Sequence, residues 1–188
     1  DGADLDSDGT SIEDFDTWFT GENSSDSAGS TLSILSDFNG DDETDLVVGA
    51  PAYSSSQGAV FVMSGEDALS GDDLDDTTLF IEGSSSSQLG RGLGLDADID
   101  RDGLAELLAA YRSSDSNAFM LLYGATAYGE SYTSLSLSDA DARYSTQIAP
   151  TWGTRDGFYR NLGANGDFDG DGYTDLLVCV SDETAGSD

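Results

Sequence analysis

Three short acidic stretches limit what this chain can fold into. Each places an acid or an amide at offsets 1, 3, 5 and 9 and then runs straight into an apolar, strand-like segment. The sets are Asp37, Asn39, Asp41 and Asp45; Asp98, Asp100, Asp102 and Glu106; and Asp167, Asp169, Asp171 and Asp175. Their first positions, 37, 98 and 167, are 61 and 69 residues apart. The flanks repeat as well. Leu46 to Pro51 is followed by a Ser-rich turn and Gly58 to Gly65; Leu107 to Arg112 is followed by a Ser/Asp turn and Asn117 to Gly124; Leu176 to Val180 follows the third stretch. Self-similarity at a near-constant interval means one supersecondary unit used several times.

Each unit reads as a short strand, a loop, a strand, a turn and another strand. Upstream, Ala28-Gly29, Leu89-Gly90 and Phe158-Tyr159 hold equivalent places, each ending eight residues before its loop, and a fourth strand is expected at Thr77 to Ile81 and Tyr132 to Leu137. The runs are short and apolar or alternating, with Gly, Ser and Asp between them, and nothing sustains a helical period. The fold class is therefore all-β, with about three four-stranded antiparallel units of propeller-blade type, the third incomplete. The expected divisions are an acidic N-terminal segment or cap at 1–27 and blade repeats at 28–88, 89–157 and 158–188. Ordinary propellers need roughly 4–8 blades. Three units thus imply that another chain completes the ring, that the chain is part of a longer one, or that the stack is open and capped.

The loops have the chemistry of a hard-cation cage. Calcium takes six to eight oxygen ligands in a flexible shell. Side chains at offsets 1, 3 and 5 of a tight turn converge on one point, offset 7 can add a backbone carbonyl (Glu43, Leu104, Tyr173), and the acid at offset 9 closes the shell. An EF-hand would need Glu at offset 12 and flanking helices, but offset 12 is Val48, Ala109 and Val178. Zinc would need imidazole or thiolate; the chain has no His and one Cys. Magnesium prefers few protein ligands and retained waters, so Ca2+ is the expected ion. Gly103 and Gly172 permit the sharp turn at offset 6, where the first loop has Asp42, which can take the left-handed conformation at some cost. Arg101, inside the second loop, is expected to face solvent or pair with a surplus acid such as Asp96. Asp96 also offers an alternative register, Asp96/Asp98/Asp100. Asp4, Asp6 and Asp8 begin a fourth such stretch, but its offset 9 is Ile12.

Charge excludes several partners. The 188 residues carry 38 acids against 6 basic residues, a formal net charge of −32. All the basic residues are Arg, and Asp outnumbers Glu 30 to 8. Nucleic acid and anionic membranes are repelled at long range. The loops use about a dozen of these acids. The rest, with no Lys, resemble the surfaces of halophilic proteins, where molar salt cuts the Debye length to about 3 Å and relieves self-repulsion. No apolar stretch approaches 18 residues, so no transmembrane helix and no direct membrane insertion is expected. Without His there is no imidazole general base. Cys179 lies in an apolar run and reads as a buried strand residue.

Smaller features carry weaker expectations. Phe15, Trp18 and Phe19 fit a cap or a stray strand. Trp152, Arg155, Phe158, Tyr159 and Arg160 form an aromatic and basic patch that suits a contact or a core. Tyr123, Tyr128 and Tyr132 suit sugar stacking or ordinary packing. Asn23-Ser24-Ser25 is a glycosylation sequon.

Asp37 to Asp41, then Asp45 to Pro51 and Gly58 to Val62, resemble the FG-GAP repeat of the integrin alpha-subunit β-propeller. Asp167 to Val178 is similar to the calcium loop of that repeat, and Leu89-Gly90 stands where the family has Phe-Gly. The resemblance covers roughly residues 28–181. It implies a calcium-stabilised propeller, extracellular or at the cell surface, with ions in loops at one rim and ligand surfaces on a propeller face. The expected role is non-enzymatic, in adhesion, recognition or surface assembly. The expected partners are a protein or glycan ligand and further blades. The alternative is a polysaccharide-acting hydrolase or lyase, or its accessory propeller. The Ala109 to Arg112 and Cys179 to Ser181 segments depart from the family's Gly-Ala-Pro.

Overall fold

The computed structural model describes residues 19–65, 73–74, 77–94, 96–113, 116–128, 133–145, 162–164 and 166–178. Its regular elements are strands, apart from the turn at Tyr53–Ser56 and single 3-10 turns at Thr126–Tyr128 and Leu137–Asp139. The strands are β1 (Thr31–Leu35), β2 (Asp45–Ala50), β3 (Ala59–Met63), β4 (Leu79–Glu82), β5 (Gly92–Leu93), β6 (Leu107–Ser113), β7 (Ser116–Leu122), β8 (Thr133–Ser136), β9 (Ala142–Ser145), β10 (Leu162–Ala164) and β11 (Leu176–Val178). They form an all-β arrangement of three sheets, ordered β1-β2-β3-β4-β8, β5-β6-β7-β9 and β10-β11. The first two contain the four-stranded antiparallel meander of a propeller blade.

β2 and β3 are apolar on both faces because each face meets a different core. Val47, Val60, Val62, Leu79 and Ile81 pack against Leu107, Ala109, Met120 and Leu122 of the second sheet. On the opposite face, Val48, Ala50, Phe61 and Met63 gather Phe19, Ala28 and Leu74. This period-2 split is why near-continuous apolar runs, rather than clean alternation, mark the central strands. The far face of the second sheet, through Leu108, Ala110, Phe119 and Leu121, holds Ile99, Ala142 and Leu176 of β11. The sheets therefore follow one another in a stack.

Close approach of the first two sheets requires glycine. A Cβ on Gly49 would lie 2.3 Å from the Gly90 carbonyl oxygen. Thr31 Oγ1 donates to that same oxygen at 2.6 Å. Gly29 and Gly90 occupy matching turns, both with positive φ. Their N–H groups donate to the equivalent carbonyls of Gly49 and Ala110, each at 3.1 Å.

These left-handed glycines end the turns that precede β1 and β5, which begin at Thr31 and Gly92. One strand expectation needs correction. The Tyr132 to Leu137 segment does form a strand, but β8 pairs parallel with β4 in the first sheet. The fourth strand of the second sheet is β9, paired with β7. Leu135 explains the choice: it packs into the core between the sheets. Phe19 packs against the Val48 and Phe61 face of the first sheet. Trp18 and Phe15, Cys179, Tyr132, the Asp4/Asp6/Asp8 stretch, and the Trp152, Arg155, Phe158, Tyr159 and Arg160 patch lie outside the described residues.

Candidate metal centre

Each of the three acidic loops precedes a strand, β2, β6 or β11, and the first two of these are inner strands of their sheets. They share one hydrogen-bond scheme. The residue at offset 1 accepts from the N–H groups at offsets 4 and 6. Asp37 takes Gly40 at 2.7 Å and Asp42 at 3.3 Å. Asp98 takes Arg101 at 2.6 Å and Gly103 at 3.1 Å. Asp167 takes Gly170 at 2.6 Å and Gly172 at 2.7 Å. The residue at offset 3 accepts from the N–H at offset 5, at 3.0, 3.1 and 3.0 Å for Asn39, Asp100 and Asp169. The acid at offset 5 accepts from offset 7, pinning Glu43, Leu104 and Tyr173, each at 2.8 Å. The acid at offset 9 reaches back to the N–H at offset 2: Asp45 to Phe38 at 2.7 Å, Glu106 to Ile99, and Asp175 to Phe168 at 2.7 Å.

This scheme needs two left-handed residues per loop, and sequence reasoning found only one. At offset 6, Asp42, Gly103 and Gly172 have φ of 65°, 97° and 89°. At offset 4, Gly40, Arg101 and Gly170 have φ of 79°, 70° and 79°. The first loop therefore carries one strained residue, Asp42, and the second another, Arg101. The third has glycine at both places. The missed signal was glycine at offset 4 in two of the three loops.

Convergence differs among the loops. Carboxylate oxygens of Asp98, Asp100, Asp102 and Glu106 all lie within 4.8 Å of one another, as do those of Asp167, Asp169 and Asp175. Asp171 stays outside its group. The acids of the first loop do not draw into such a group; Asp41 Oδ2 instead accepts from Asn39 Nδ2 at 2.9 Å.

The closing acids of the first two loops are the most informative groups. Asp45 is 1% exposed and Glu106 is 2% exposed. One oxygen of each holds its backbone N–H; the other, Asp45 Oδ1 or Glu106 Oε1, is buried without a hydrogen-bond donor. An orphaned buried acceptor costs about 1–3 kcal/mol. Burial pushes the Asp45 carboxyl up to about 6, opposed by the Phe38 N–H and reinforced by Asp41. Burial likewise pushes Glu106 up to about 7, opposed by the Ile99 N–H and reinforced by Asp100, Asp98 and Asp102. A buried oxygen with no donor, facing other carboxylates, is what a bound cation would satisfy. The donor set is entirely oxygen, which suits a hard cation. The residues present therefore fit a metal ion, and the fit is fullest in the second loop.

The loops also touch one another. The Ala105 N–H donates to the Asp37 carbonyl at 2.8 Å, and the Ala125 N–H donates to the Phe38 carbonyl at 2.9 Å. Phe38 stacks on Tyr128 with ring centroids 5.4 Å apart, so Tyr128 serves packing. Arg101 is exposed and does not take the pairing that Asp96 offered; its guanidinium lies over the Tyr173 ring, 3.9 Å from the centroid, and joins the second loop to the third. Asp96 is taken by Ser36, whose N–H donates to it at 2.8 Å and whose hydroxyl donates to its other oxygen. That removes the Asp96 register for the second loop.

No helix among the described residues is long and apolar enough to cross a membrane. No curated protein matches the chain. Residues 28–63 match the family model of the FG-GAP repeat. That span takes in β1, the first acidic loop, β2 and β3 to its last residue. The chain carries an FG-GAP repeat.

Proposed function

We propose that this chain is a calcium-stabilised propeller module, extracellular or on the cell surface, that works in recognition, adhesion or surface assembly without catalysing a reaction. The observation that carries the reading is the buried, donorless oxygen of Glu106, set among Asp98, Asp100 and Asp102 at the start of β6. The ligands are Asp37, Asn39, Asp41, the Glu43 carbonyl and Asp45 in the first loop. In the second they are Asp98, Asp100, Asp102, the Leu104 carbonyl and Glu106. In the third they are Asp167, Asp169, Asp171, the Tyr173 carbonyl and Asp175.

When bound, calcium neutralises converging carboxylates and ties each loop to its strand. The protein's own residues do the remainder: backbone N–H groups orient the acids, and at Asp45 and Glu106 they hold one oxygen and leave the other for the ion. Binding energy then becomes folding energy. The sheet faces and the strand ends opposite the ion loops are left to meet partners. Isothermal titration with calcium in molar salt, followed by thermal melts with and without chelator, tests the ion. The expected result is saturable binding and a melting temperature that rises with calcium; magnesium giving the same rise at equal concentration would argue against the assigned ion. A glycan and protein binding panel with product analysis tests the role. Binding without turnover is expected, and released oligosaccharide would overturn the non-enzymatic reading.

A further inference from the structure

A chain of hydrogen bonds runs from the first acidic loop to the second. The Asp37–Phe38 peptide group is held on both sides. Its N–H donates to Asp45, the acid that closes the first loop, at 2.7 Å. Its carbonyl accepts from the Ala105 N–H of the second loop at 2.8 Å. That N–H belongs to the Leu104–Ala105 peptide, whose carbonyl is the proposed backbone ligand of the second loop. The Leu104 N–H is itself held by Asp102 at 2.8 Å. Two peptide groups thus connect the ligands of one loop to the closing acid of the other.

A second tie lies beside the first. Asp96, just upstream of Asp98, accepts the Ser36 N–H at 2.8 Å and the Ser36 hydroxyl on its other oxygen. Ser36 stands directly before Asp37. Ala97, between Asp96 and Asp98, accepts the Glu106 N–H at 2.9 Å. The openings of both loops and the closing acid of the second are therefore fixed to one another. Both loops also hold a buried, donorless carboxylate oxygen, on Asp45 and Glu106. The third loop is joined differently. Among the described residues no backbone hydrogen bond links it to the second. The contact is Arg101 lying over the exposed Tyr173 ring.

We propose that the first and second loops take up their cations as one coupled pair, linked by the Asp37–Phe38 and Leu104–Ala105 peptides and aligned by Asp96 and Ser36 as positioning residues, while the third loop fills almost independently. This rests on the calcium reading given above. When the Leu104 carbonyl binds a cation, its peptide N–H becomes a stronger donor to Asp37. The polarised Asp37 carbonyl in turn makes the Phe38 N–H a stronger donor to ionised Asp45. Ordering either loop also fixes residues that hold the other, so the second cation meets a loop already in place. Repulsion between the two cations opposes this, and molar salt screens it. Such coupling is reciprocal: filling either loop raises the affinity of the other by the same factor.

Calcium titration of the intact, isotope-labelled chain in molar salt, followed by NMR, tests the proposal. The amides of Gly40, Gly103 and Gly170 report the three loops separately. Asp100→Asn with Asp102→Asn disables the second loop at two exposed positions; Asp37→Asn with Asp41→Asn disables the first. Circular dichroism checks that both variants fold. Disabling the second loop should lower the calcium affinity read at Gly40 about tenfold. Disabling the first should lower the affinity read at Gly103 by the same factor. The affinity read at Gly170 should change less than about fivefold in either variant. Asp96→Ala leaves every proposed ligand in place and should shrink the effect at Gly40; an undiminished effect would remove Asp96 and Ser36 from the link. An affinity at Gly40 that ignores the second loop, or that moves no more than the one at Gly170, would overturn the coupling and leave the calcium reading standing. No calcium-dependent shift at any of these glycines in the parent chain would overturn both.

Discussion

The second and third loops use the same hydrogen-bond scheme and solve opposite halves of one problem. The third has the better sequence for the turn, with Gly170 and Gly172 at both left-handed positions. The second has the better surroundings, because Glu106 is buried at the head of β6 beside the core between the sheets. Its backbone is strained at Arg101 instead. Asp175, at the equivalent place in the third loop, is only half-buried. A loop of ideal sequence can thus be the less committed to an ion, while a strained one carries a buried acid that is costly without one. The first loop sits between them: Asp45 is as buried as Glu106, but Asn39 replaces an acid and Asp42 is strained.

The largest effect expected from this contrast is that of removing calcium. A ligand at a thousand times its Kd adds about 4 kcal/mol of stability. Chelation should therefore produce a fall in melting temperature that dwarfs any single surface substitution. Hydrogen exchange should show the segments preceding β2 and β6 opening more than the one preceding β11. Equal opening of all three would erase the distinction drawn from burial.

Charge removal at the closing acid should sharpen it, with a change of sign. In calcium, Glu106→Gln should cost roughly 2–3 kcal/mol, because a buried charged ligand is lost. Asp175→Asn should cost about 1 kcal/mol or less. Without calcium at neutral pH, Glu106→Gln should instead stabilise, since it removes a buried, repelled carboxylate. Denaturant melts of both variants in both conditions measure this. A Glu106→Gln protein destabilised in both states would mean that the acid is structural irrespective of the ion.

Titration follows from the same burial. Glu106 is pushed up from 4.5 to about 7 and Asp45 from 3.8 to about 6. With folded values above unfolded ones, the native chain binds more protons than the unfolded chain between those limits. Metal-free stability should be full below about pH 4 and fall as pH rises towards 7, by of order 2–3 kcal/mol for Glu106 alone. In calcium the slope reverses, because the ion needs both groups ionised, and apparent affinity should climb through the same window. A metal-free protein that gains stability over that range would show that these acids are not the ones titrating.

The three loops, their strands and the all-β class were legible because offsets 1, 3, 5 and 9 and the apolar runs are local patterns. What the sequence hid was long-range. Nothing in Thr133 to Ser136 says that it pairs with β4 rather than β7; its alternation suits either sheet, and Leu135 finding the core decides it. β9 was missed because Ala142, Arg143, Tyr144 and Ser145 lack an apolar run, and it is held by ladder bonds and by Tyr144 stacking on Phe119. Arg101 was expected, by charge alone, to face solvent or to pair with an acid. Its left-handed backbone sends the side chain to the neighbouring loop, a contact that no spacing within the second loop encodes.

The smallest predicted effects test the strain itself. Asp42→Gly should relieve a left-handed non-glycine residue and add roughly 1 kcal/mol. Arg101→Gly relieves the same strain but removes the guanidinium from the Tyr173 ring, a contact worth about 0.5–1 kcal/mol when exposed. Its net effect on stability should be near zero. Arg101→Ala keeps the strain and loses the contact, so it should destabilise by about as much as the ring contact is worth. Tyr173→Leu should give a similar loss in the parent chain and almost none in the Arg101→Ala background. Urea melts of the two single variants and the double variant close this cycle. Additive losses would mean that the second and third loops stand side by side without supporting one another.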